Sequence, residues 1–298
     1  MARLDVRELR LSVDGGNPAL GTKRIAGTLT KPATNKKNTL LVCLPGGSYS
    51  RFYFQAEFDD FKGYNFANYM AGKGFMVLTL DHLGMGESDK PEEVSLLDKS
   101  SIAAFNHAAV QSVLEDMDKR PKIVGLGHSM GGMAVVEQQA KFATFDRIGV
   151  LGWTNIGLSL GSSEPDLNAD KAHYAPTDRG LMRPLFHLPD VPSNLIEQDD
   201  TRASLTPSPF AQQAVQSGIV SKEAANIKCP VFLAFGEVDI SPQPKDEPKF
   251  YRNAQSVDLT LLAGSAHNHN FAATRTQLWD KIGTFASQST FHETALEG

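Results

Sequence analysis

Residues 127–131, Gly-His-Ser-Met-Gly, contain a serine between two glycines and lie between an apolar run and a helical pattern. A serine on a tight strand-to-helix turn has an exposed hydroxyl, and glycines two positions before and after it let the strand and helix come close. The backbone N–H of Met130, at the start of the helix, would point at an oxyanion. The pattern favours Ser129 as a nucleophile in acyl transfer.

A serine nucleophile needs an imidazole base that is held by a carboxylate, and both occur after later apolar runs. Asp239 follows the run Val-Phe-Leu-Ala-Phe, and His267 follows the run Val-Asp-Leu-Thr-Leu-Leu. Glu237 is the rival acid, and His269 is the rival base. We expect Asp239 and His267 to complete a triad with Ser129.

Two other kinds of site are open to the same residues. Gly125, Gly127 and Gly131 fit a relaxed dinucleotide fingerprint, which normally ends the first strand of its unit and precedes an acidic residue about 20 positions later. Here two apolar runs come first, and the next run ends in Leu-Gly-Trp-Thr-Asn without a carboxylate. A metal pair formed by His267 and His269 would need a third ligand, and none is recognisable. We expect no cofactor and no metal.

The stretch after the run Thr-Leu-Leu-Val-Cys-Leu predicts the rest of the site. Its two glycines leave backbone amides unobstructed, so we expect Gly47 to be the second oxyanion donor beside Met130, with Ser48 as the alternative. Residues 49–66 are rich in aromatic side chains, which are typical of an apolar or aryl pocket. The expected pocket residues are Gly46, Ser48, Tyr49, Phe52, Tyr53, His128, Tyr174 and Phe186, with His173, Met182, Leu185 and Phe210 as further candidates.

The elements that must position these residues are indicated by hydrophobic patterning. Six short, nearly continuous apolar runs, which begin at residues 39, 75, 122, 148, 231 and 257, predict strands buried on both faces. Helical periods lie between most of them, which predicts a parallel sheet covered on both sides. The first thirty residues alternate with period two and predict an antiparallel pair. The predicted fold class is α/β with a mostly parallel sheet.

The alternation of strands and helices is interrupted from about residue 156 to residue 227. This stretch is rich in Pro, Ser and Asp and carries only short helical patterns, such as those around residues 207–218 and 221–226. We expect residues 156–227 to be a cap that is inserted into a core formed by residues 1–155 and 228–298.

Together these motifs resemble the α/β-hydrolases, from about residue 25 to the end of the chain. The Pro-Gly-Gly turn, the segment GHSMGG, Asp239 and His267 occur in the family's order, and residues 81–89, DHLGMGESD, resemble its D-x-x-G-x-G-x-S turn. The resemblance implies an eight-stranded sheet, a variable cap after the sixth strand and no cofactor. One departure is that Pro45-Gly46 replaces the usual His-Gly of the oxyanion turn.

The predicted reaction is hydrolysis of a small or medium, largely uncharged ester or lactone through an acyl-enzyme on Ser129. Thioesters, amides and C–C bonds are alternative targets of the same triad, and a homologue that only binds a ligand is a further alternative. Epoxide hydrolases and haloalkane dehalogenases need an aspartate at position 129, so a serine there disfavours both classes.

Composition limits the partners of the protein. A net charge of −5 and a pI near 5.9 provide no basic field for nucleic acid. The first residues lack the apolar core of a secretory signal, and no stretch approaches the roughly 20 apolar residues of a membrane span. Cys43 and Cys229 form neither a disulfide framework nor a zinc pattern. We expect a cytoplasmic protein with a small-molecule substrate and no nucleic-acid or membrane partner, and a homodimer stays open.

Overall fold

The structure is a computed structural model that describes residues 4–32, 37–158 and 173–288. In this part of the chain, one sheet contains eight strands. They are β1 (Asp5–Asp14), β2 (Thr22–Lys31), β3 (Thr39–Leu44), β4 (Met76–Leu80), β5 (Lys122–His128), β6 (Arg147–Leu151), β9 (Val231–Gly236) and β10 (Val257–Leu262). Two short strands, β7 (Tyr174–Ala175) and β8 (Thr206–Pro207), form a separate antiparallel pair.

The eight strands lie in the order β1-β2-β4-β3-β5-β6-β9-β10. β2 pairs antiparallel with both β1 and β4, and every other neighbouring pair in this sheet is parallel. The predicted α/β class, the mostly parallel eight-stranded sheet and the antiparallel pair at its start are all confirmed.

Eight α-helices occur within the described residues, and none of them has both the length and the apolar character that crossing a membrane requires. They are α1 (Phe66–Gly72), α2 (Lys99–Glu115), α3 (Met130–Phe142), α4 (Arg179–Phe186), α5 (Ser193–Asp200), α6 (Ser208–Ala214), α7 (Ser221–Asn226) and α8 (Arg275–Ser287).

The strands are continuous apolar runs because helices cover both faces of the sheet. In β3, Leu40, Val42 and Leu44 pack on the side that carries α2 and α3. Leu41 and Cys43, which alternate with them, pack on the side that carries α1 and α8. Since successive strand residues point to opposite faces, every position of such a strand has to be apolar.

The chain between β6 and β9 contains α4, α5, α6 and α7 together with β7 and β8. The short helical patterns in the sequence correspond to α6 and α7. The sequence pattern does not place α4, because this helix contains Gly180 and Pro184, which are poor helix formers. Residues 159–172, which belong to the predicted cap, lie outside the described residues.

The parallel strands bring the chemistry-bearing residues to one edge of the sheet. Ser129 directly follows β5, and Gly47 comes soon after β3. Asp239 and His267 come soon after β9 and β10. Because parallel strands end at the same edge, residues far apart along the chain meet there.

Candidate active site

Ser129 lies on a strained turn between β5 and α3. Its backbone angles, φ 55° and ψ −124°, are in a region that residues with a side chain rarely occupy. Its N–H donates to the carbonyl oxygen of Leu151 over 2.8 Å, and its own carbonyl accepts from the N–H of Gly132 over 2.7 Å. These two bonds anchor the turn to the end of β6 and to the first turn of α3.

Glycine is required on both sides of Ser129 because two backbones meet there. A Cβ atom on Gly127 would lie 2.1 Å from the carbonyl oxygen of Gly131. A Cβ atom on Gly131 would lie 2.2 Å from the carbonyl oxygen of Leu44, at the end of β3. Neither neighbour can move aside, because both are main-chain atoms in packed elements.

Asp239 accepts hydrogen bonds from two histidines. Its Oδ1 accepts from Nδ1 of His267 over 2.6 Å, and its Oδ2 accepts from Nε2 of His269 over 2.8 Å. The backbone N–H groups of Gly236 and Ile240 also donate to the carboxylate, each over 2.7 Å. Burial by itself would raise the pKa of Asp239, but the charges and hydrogen bonds of the two histidines hold that pKa well below its usual range.

The two rivals named from the sequence occupy different places. Glu237 is exposed, and its Oε2 accepts from the backbone N–H of Gly264 over 2.9 Å. His269 is buried against Asp239, and the wall of the cavity beside Ser129 does not include it. His267 does line that cavity, so the geometry favours His267 as the imidazole that can reach a substrate.

A cavity of about 530 Å³ lies beside Ser129. Of the residues expected in the site, Ser129, Gly47, Met130, His267 and Phe186 line it. Most of the remaining wall comes from Trp153, Leu158, Ala175, Pro176, Leu181, Met182, Ala211, Ala214, Val215 and Ile240, and its polar members are His173, Thr177, Asp178, Ser208 and Gln212. The wall is therefore largely apolar, and the chain between β6 and β9 supplies most of it.

The turn after β3 packs directly against the turn that carries Ser129. A Cβ atom on Gly46 would lie 2.8 Å from Cβ of Ser129, and one on Gly47 would lie 2.4 Å from the sulfur of Met130. Met130 is the first residue of α3, where backbone N–H groups have no partner inside the helix. Gly47 and Met130 therefore pack against each other beside Ser129, and all three residues line the cavity.

The cavity beside Ser129 differs from the expected pocket in most of its lining residues. Its wall excludes seven residues that the sequence placed there, together with two of the further candidates, Leu185 and Phe210. The seven are Gly46, Ser48, Tyr49, Phe52, Tyr53, His128 and Tyr174.

The three tyrosines among these seven residues make contacts elsewhere in the protein. Tyr49 is buried and donates its hydroxyl to Asp199 over 2.6 Å. Tyr53 is buried with its ring stacked on His128 at a centroid distance of 4.3 Å. The hydroxyl of Tyr174 donates to the carbonyl of Pro91 over 2.9 Å. An aromatic-rich stretch predicts burial of large rings, but it does not tell whether a ring faces the core or a cavity.

His128 supports the loop that carries His267. Its Nε2 donates to the carbonyl oxygen of His267 over 2.8 Å. Burial, together with the nearby His267 and His269, lowers the pKa of His128 well below its usual value, so this imidazole is neutral at pH 7.

The sequence gives no recognisable signal for Gly152 or for the contacts that hold the ring of His267. Gly152 has φ +57°, and a Cβ atom there would lie 3.0 Å from the ring of His267. The N–H of His267 donates to the carbonyl of Leu185, and the ring of Phe186 stacks on the imidazole at a centroid distance of 5.7 Å. These contacts depend on how α4 folds back over the sheet edge, which spacing along the chain does not reveal.

Comparisons with known proteins agree with this architecture. The model of the Alpha/beta hydrolase family matches residues 41–276. A carboxyl esterase from Bacillus coagulans is similar in structure, with 16% identity and a TM-score of 0.68, covering 96% of this chain and 98% of that chain. An esterase from Exiguobacterium antarcticum has 16% identity and a TM-score of 0.65, covering 90% of this chain and 97% of that chain.

A thioesterase domain from the curacin biosynthetic pathway has 12% identity and a TM-score of 0.59, covering 95% of this chain and 100% of that chain. No curated protein matches the sequence. At such identities the structural likeness establishes the fold and leaves the substrate to be inferred from the site itself.

Proposed function

The chain belongs to the α/β-hydrolase family, and from this premise we propose that it hydrolyses carboxylic esters through an acyl-enzyme on Ser129. One observation carries the proposal. Ser129, on a strained strand-to-helix turn, and His267, bonded to the buried Asp239, line the same cavity. A hydroxyl, an imidazole and a carboxylate in this relation are the parts of a nucleophilic triad.

In the proposed mechanism, His267 takes the proton of the Ser129 hydroxyl as its oxygen attacks the ester carbonyl. Asp239 accepts from Nδ1 of His267, which fixes the tautomer that leaves Nε2 free to act as the base. The imidazolium then gives its proton to the departing alcohol. A water molecule, activated by the same imidazole, releases the acid and regenerates the serine.

The amides of Gly47 and Met130 are the proposed oxyanion donors. Both residues line the cavity beside Ser129, and one of them begins a helix. Backbone N–H groups that are already oriented stabilise the negative charge of the tetrahedral intermediate without reorganising during the reaction.

The cavity supports an uncharged substrate of small to medium size. Its wall is mostly aliphatic and aromatic, and a volume of about 530 Å³ is within the usual range for small-molecule sites. Ester and lactone carbonyls both fit this description. We propose residues 156–227 as the cap, because Leu181 and Met182 of α4 and Ala211 of α6 line the cavity.

The proposal is tested with p-nitrophenyl esters of graded acyl length, compared with lactones, thioesters and amides. Ser129→Ala should lower kcat by at least about four orders of magnitude, because a triad acts as a unit. The matched control is Ser100→Ala in α2, because Ser100 bonds Lys141, does not line the cavity and should keep wild-type kinetics.

A serine-directed phosphonate tests the nucleophile independently of the substrate chosen. Mass spectrometry should find one adduct, on the peptide that contains Ser129. An adduct on another residue, or full activity in Ser129→Ala, would contradict the proposed nucleophile. A thioester or an amide as the fastest substrate would replace the ester while leaving the triad in place.

A further inference from the structure

The turn that carries the proposed oxyanion donor has an unusual backbone. Ser48, directly after Gly47, is fully buried and has φ +61°, a left-handed conformation that is strained for a residue with a side chain. Such a conformation persists only where the surroundings over-determine it. The partners of Ser48 therefore decide where the amide of Gly47 lies.

All of these partners come from the chain between β6 and β9. The carbonyl oxygen of Ser48 accepts from Nη2 of Arg179 over 2.7 Å and from the N–H of Ser204 over 2.8 Å. Its Oγ accepts from Nε of Arg179 over 3.2 Å. Its own N–H donates to Oγ1 of Thr206 over 3.0 Å. One guanidinium thus holds both the backbone and the side chain of Ser48.

Arg179 is itself built into the interior. It is 6% exposed, and its Nη1 donates to Oδ2 of Asp199 over 3.2 Å and to the carbonyl of the same residue over 2.8 Å. The guanidinium lies 4.0 Å from the ring centroid of Tyr49. A buried arginine with a paired charge and a fixed fork of donors is well suited to position a backbone segment.

The same network reaches the loop of the base. The hydroxyl of Tyr49 donates to Asp199 over 2.6 Å and accepts from Nδ2 of Asn268 over 2.8 Å. Asn268 follows His267 directly. Arg179 therefore bonds Ser48 directly, and Asp199, which pairs with Arg179, is connected to Asn268 through the hydroxyl of Tyr49.

We propose that Arg179 is a positioning residue for the oxyanion turn, which holds the amide of Gly47 in place beside Ser129. This inference rests on the proposed function. The segment between β6 and β9 then has a part in the reaction beyond lining the cavity.

The test compares a p-nitrophenyl ester with its thiono counterpart, in which sulfur replaces the carbonyl oxygen. Sulfur is a weak hydrogen-bond acceptor, so the ratio of kcat for the oxygen ester to kcat for the thiono ester reports how well the oxyanion donors are placed. The fraction of folded enzyme is the same in both values and cancels in this ratio. Arg179→Met should lower kcat for the oxygen ester by about 10- to 100-fold and lower the ratio at least about fivefold. KM should change less than about threefold.

Three further variants complete the experiment. Arg179→Lys should restore only part of the ratio, because one ammonium cannot replace a guanidinium that bonds Ser48 twice. Thr206→Val, which removes the acceptor for the Ser48 N–H, should lower the ratio in the same direction by a smaller factor and keeps the inference testable if Arg179→Met does not fold. Arg183→Met is the matched control, because Arg183 lies on the same helix, 45% exposed and bonded to Asp200, and should leave the ratio unchanged.

An unchanged ratio in Arg179→Met and Thr206→Val, with the wild type active on the oxygen ester, would overturn the role of Arg179 alone. Equal losses on both esters would do the same, because they indicate a structural defect that is not specific to the oxyanion. A wild type that turns over no ester and leaves Ser129 unlabelled by phosphonate would instead overturn the proposed function.

Discussion

At the scale of single residues, Asp239 is held by four hydrogen bonds. Each of its oxygens accepts from one imidazole and from one backbone N–H, so the carboxylate cannot rotate without losing bonds. A fixed carboxylate presents its charge to His267 in one direction only. That constraint is what a base near a serine needs, because the tautomer and the orientation of the imidazole are then set before a substrate arrives.

Replacing the carboxylate tests its assignment as the acid of the triad. Asp239→Asn should lower kcat by about three to four orders of magnitude, because an amide can donate to Nδ1 and so favour the wrong tautomer. Glu237→Gln is the matched control. Glu237 accepts only from Gly264 within the described residues and should keep kcat within about threefold. A larger loss in Glu237→Gln than in Asp239→Asn, measured on the best ester of the panel, would reverse the assignment.

The two histidines on Asp239 can be separated in the same way. His267→Ala should lower kcat by about four orders of magnitude or more, because the base is lost. His269→Gln keeps a donor near Oδ2 of Asp239 and should retain activity within about tenfold, because His269 is not part of the cavity wall. Steady-state kinetics of both variants decide the matter, and an inactive His269→Gln beside an active His267→Ala would make His269 the base.

At the scale of elements, the β5–α3 turn depends on the close approach of backbones. The strand, the helix and the end of β3 meet at Gly127 and Gly131, where the nearest atoms to an added Cβ are main-chain oxygens. The strain at Ser129 is tolerated because these contacts and the sheet fix the turn from both sides. Substitutions in this element should therefore affect stability and activity together.

Gly127→Ala should lower the free energy of unfolding by about 3 kcal/mol or more, because its Cβ atom would meet backbone 2.1 Å away. Gly72→Ala is the control, since Gly72 ends α1 with no atom within 4 Å of an added Cβ, and it should be neutral or stabilising by up to about 1 kcal/mol. Urea denaturation followed by circular dichroism measures both. A Gly127→Ala variant as stable as the wild type would mean that the two backbones can separate.

At the scale of the whole molecule, the chain between β6 and β9 is hydrogen-bonded both to the loop that carries His267 and to the turn that contains Ser48. The backbone N–H groups of His267 and Asn268 donate to the carbonyls of Leu185 and Phe186, at the end of α4. The same segment contributes Arg179, which donates to the carbonyl oxygen of Ser48 in the turn after β3. Displacing this segment as a unit would break hydrogen bonds on both sides of Ser129.

His187, at the end of α4, makes the stability of this arrangement dependent on pH. Burial, together with the nearby Arg179, Arg183 and His267, lowers the pKa of His187 from its usual value to about 4. Its ring stacks on Phe271, and Nδ2 of Asn268 lies 3.4 Å from its Nε2. The unfolded chain takes up a proton near pH 6.5 and the folded chain does so only near pH 4. Burying a neutral His187 therefore costs no stability above about pH 6.5, and the free energy of unfolding decreases as the pH falls from 6.5 towards 4, because the unfolded chain is protonated first.

The difference in unfolding free energy between wild type and His187→Gln should therefore change by about 3 kcal/mol between pH 7 and pH 4, with the wild type losing more. His82, His128 and Asp199 also titrate abnormally, but they are present in both proteins and cancel to first order. His173→Gln, at an exposed position, is the control and should run parallel to the wild type. Parallel curves for His187→Gln, measured by urea denaturation at each pH, would contradict the buried and neutral state of His187.

Much of the architecture could be predicted because it depends on local pattern. Continuous apolar runs predict strands covered on both faces, and the glycines around Ser129 predict a tight turn, because both signals lie within a few residues of the chain. Even the meeting of Ser129, Asp239 and His267 at one edge could be inferred, since parallel strands end together. The sequence could not decide whether the aromatic side chains of residues 49–66 face the core or a cavity, because both environments favour large rings such as those of Tyr49 and Tyr53.

The sequence by itself determined the fold class, the turn that carries Ser129 and the order of the acid and the histidine, since each follows from periodicity, glycine spacing or strand polarity. Only the tertiary structure decided which residues line the cavity, which histidine faces it and which side chains bond Ser48 in the turn after β3. Arg179 and Ser48 are more than a hundred positions apart, and they meet because α4 and α5 fold back over the sheet edge. Contacts of that kind are set by the packing of whole elements, which no short stretch of sequence specifies.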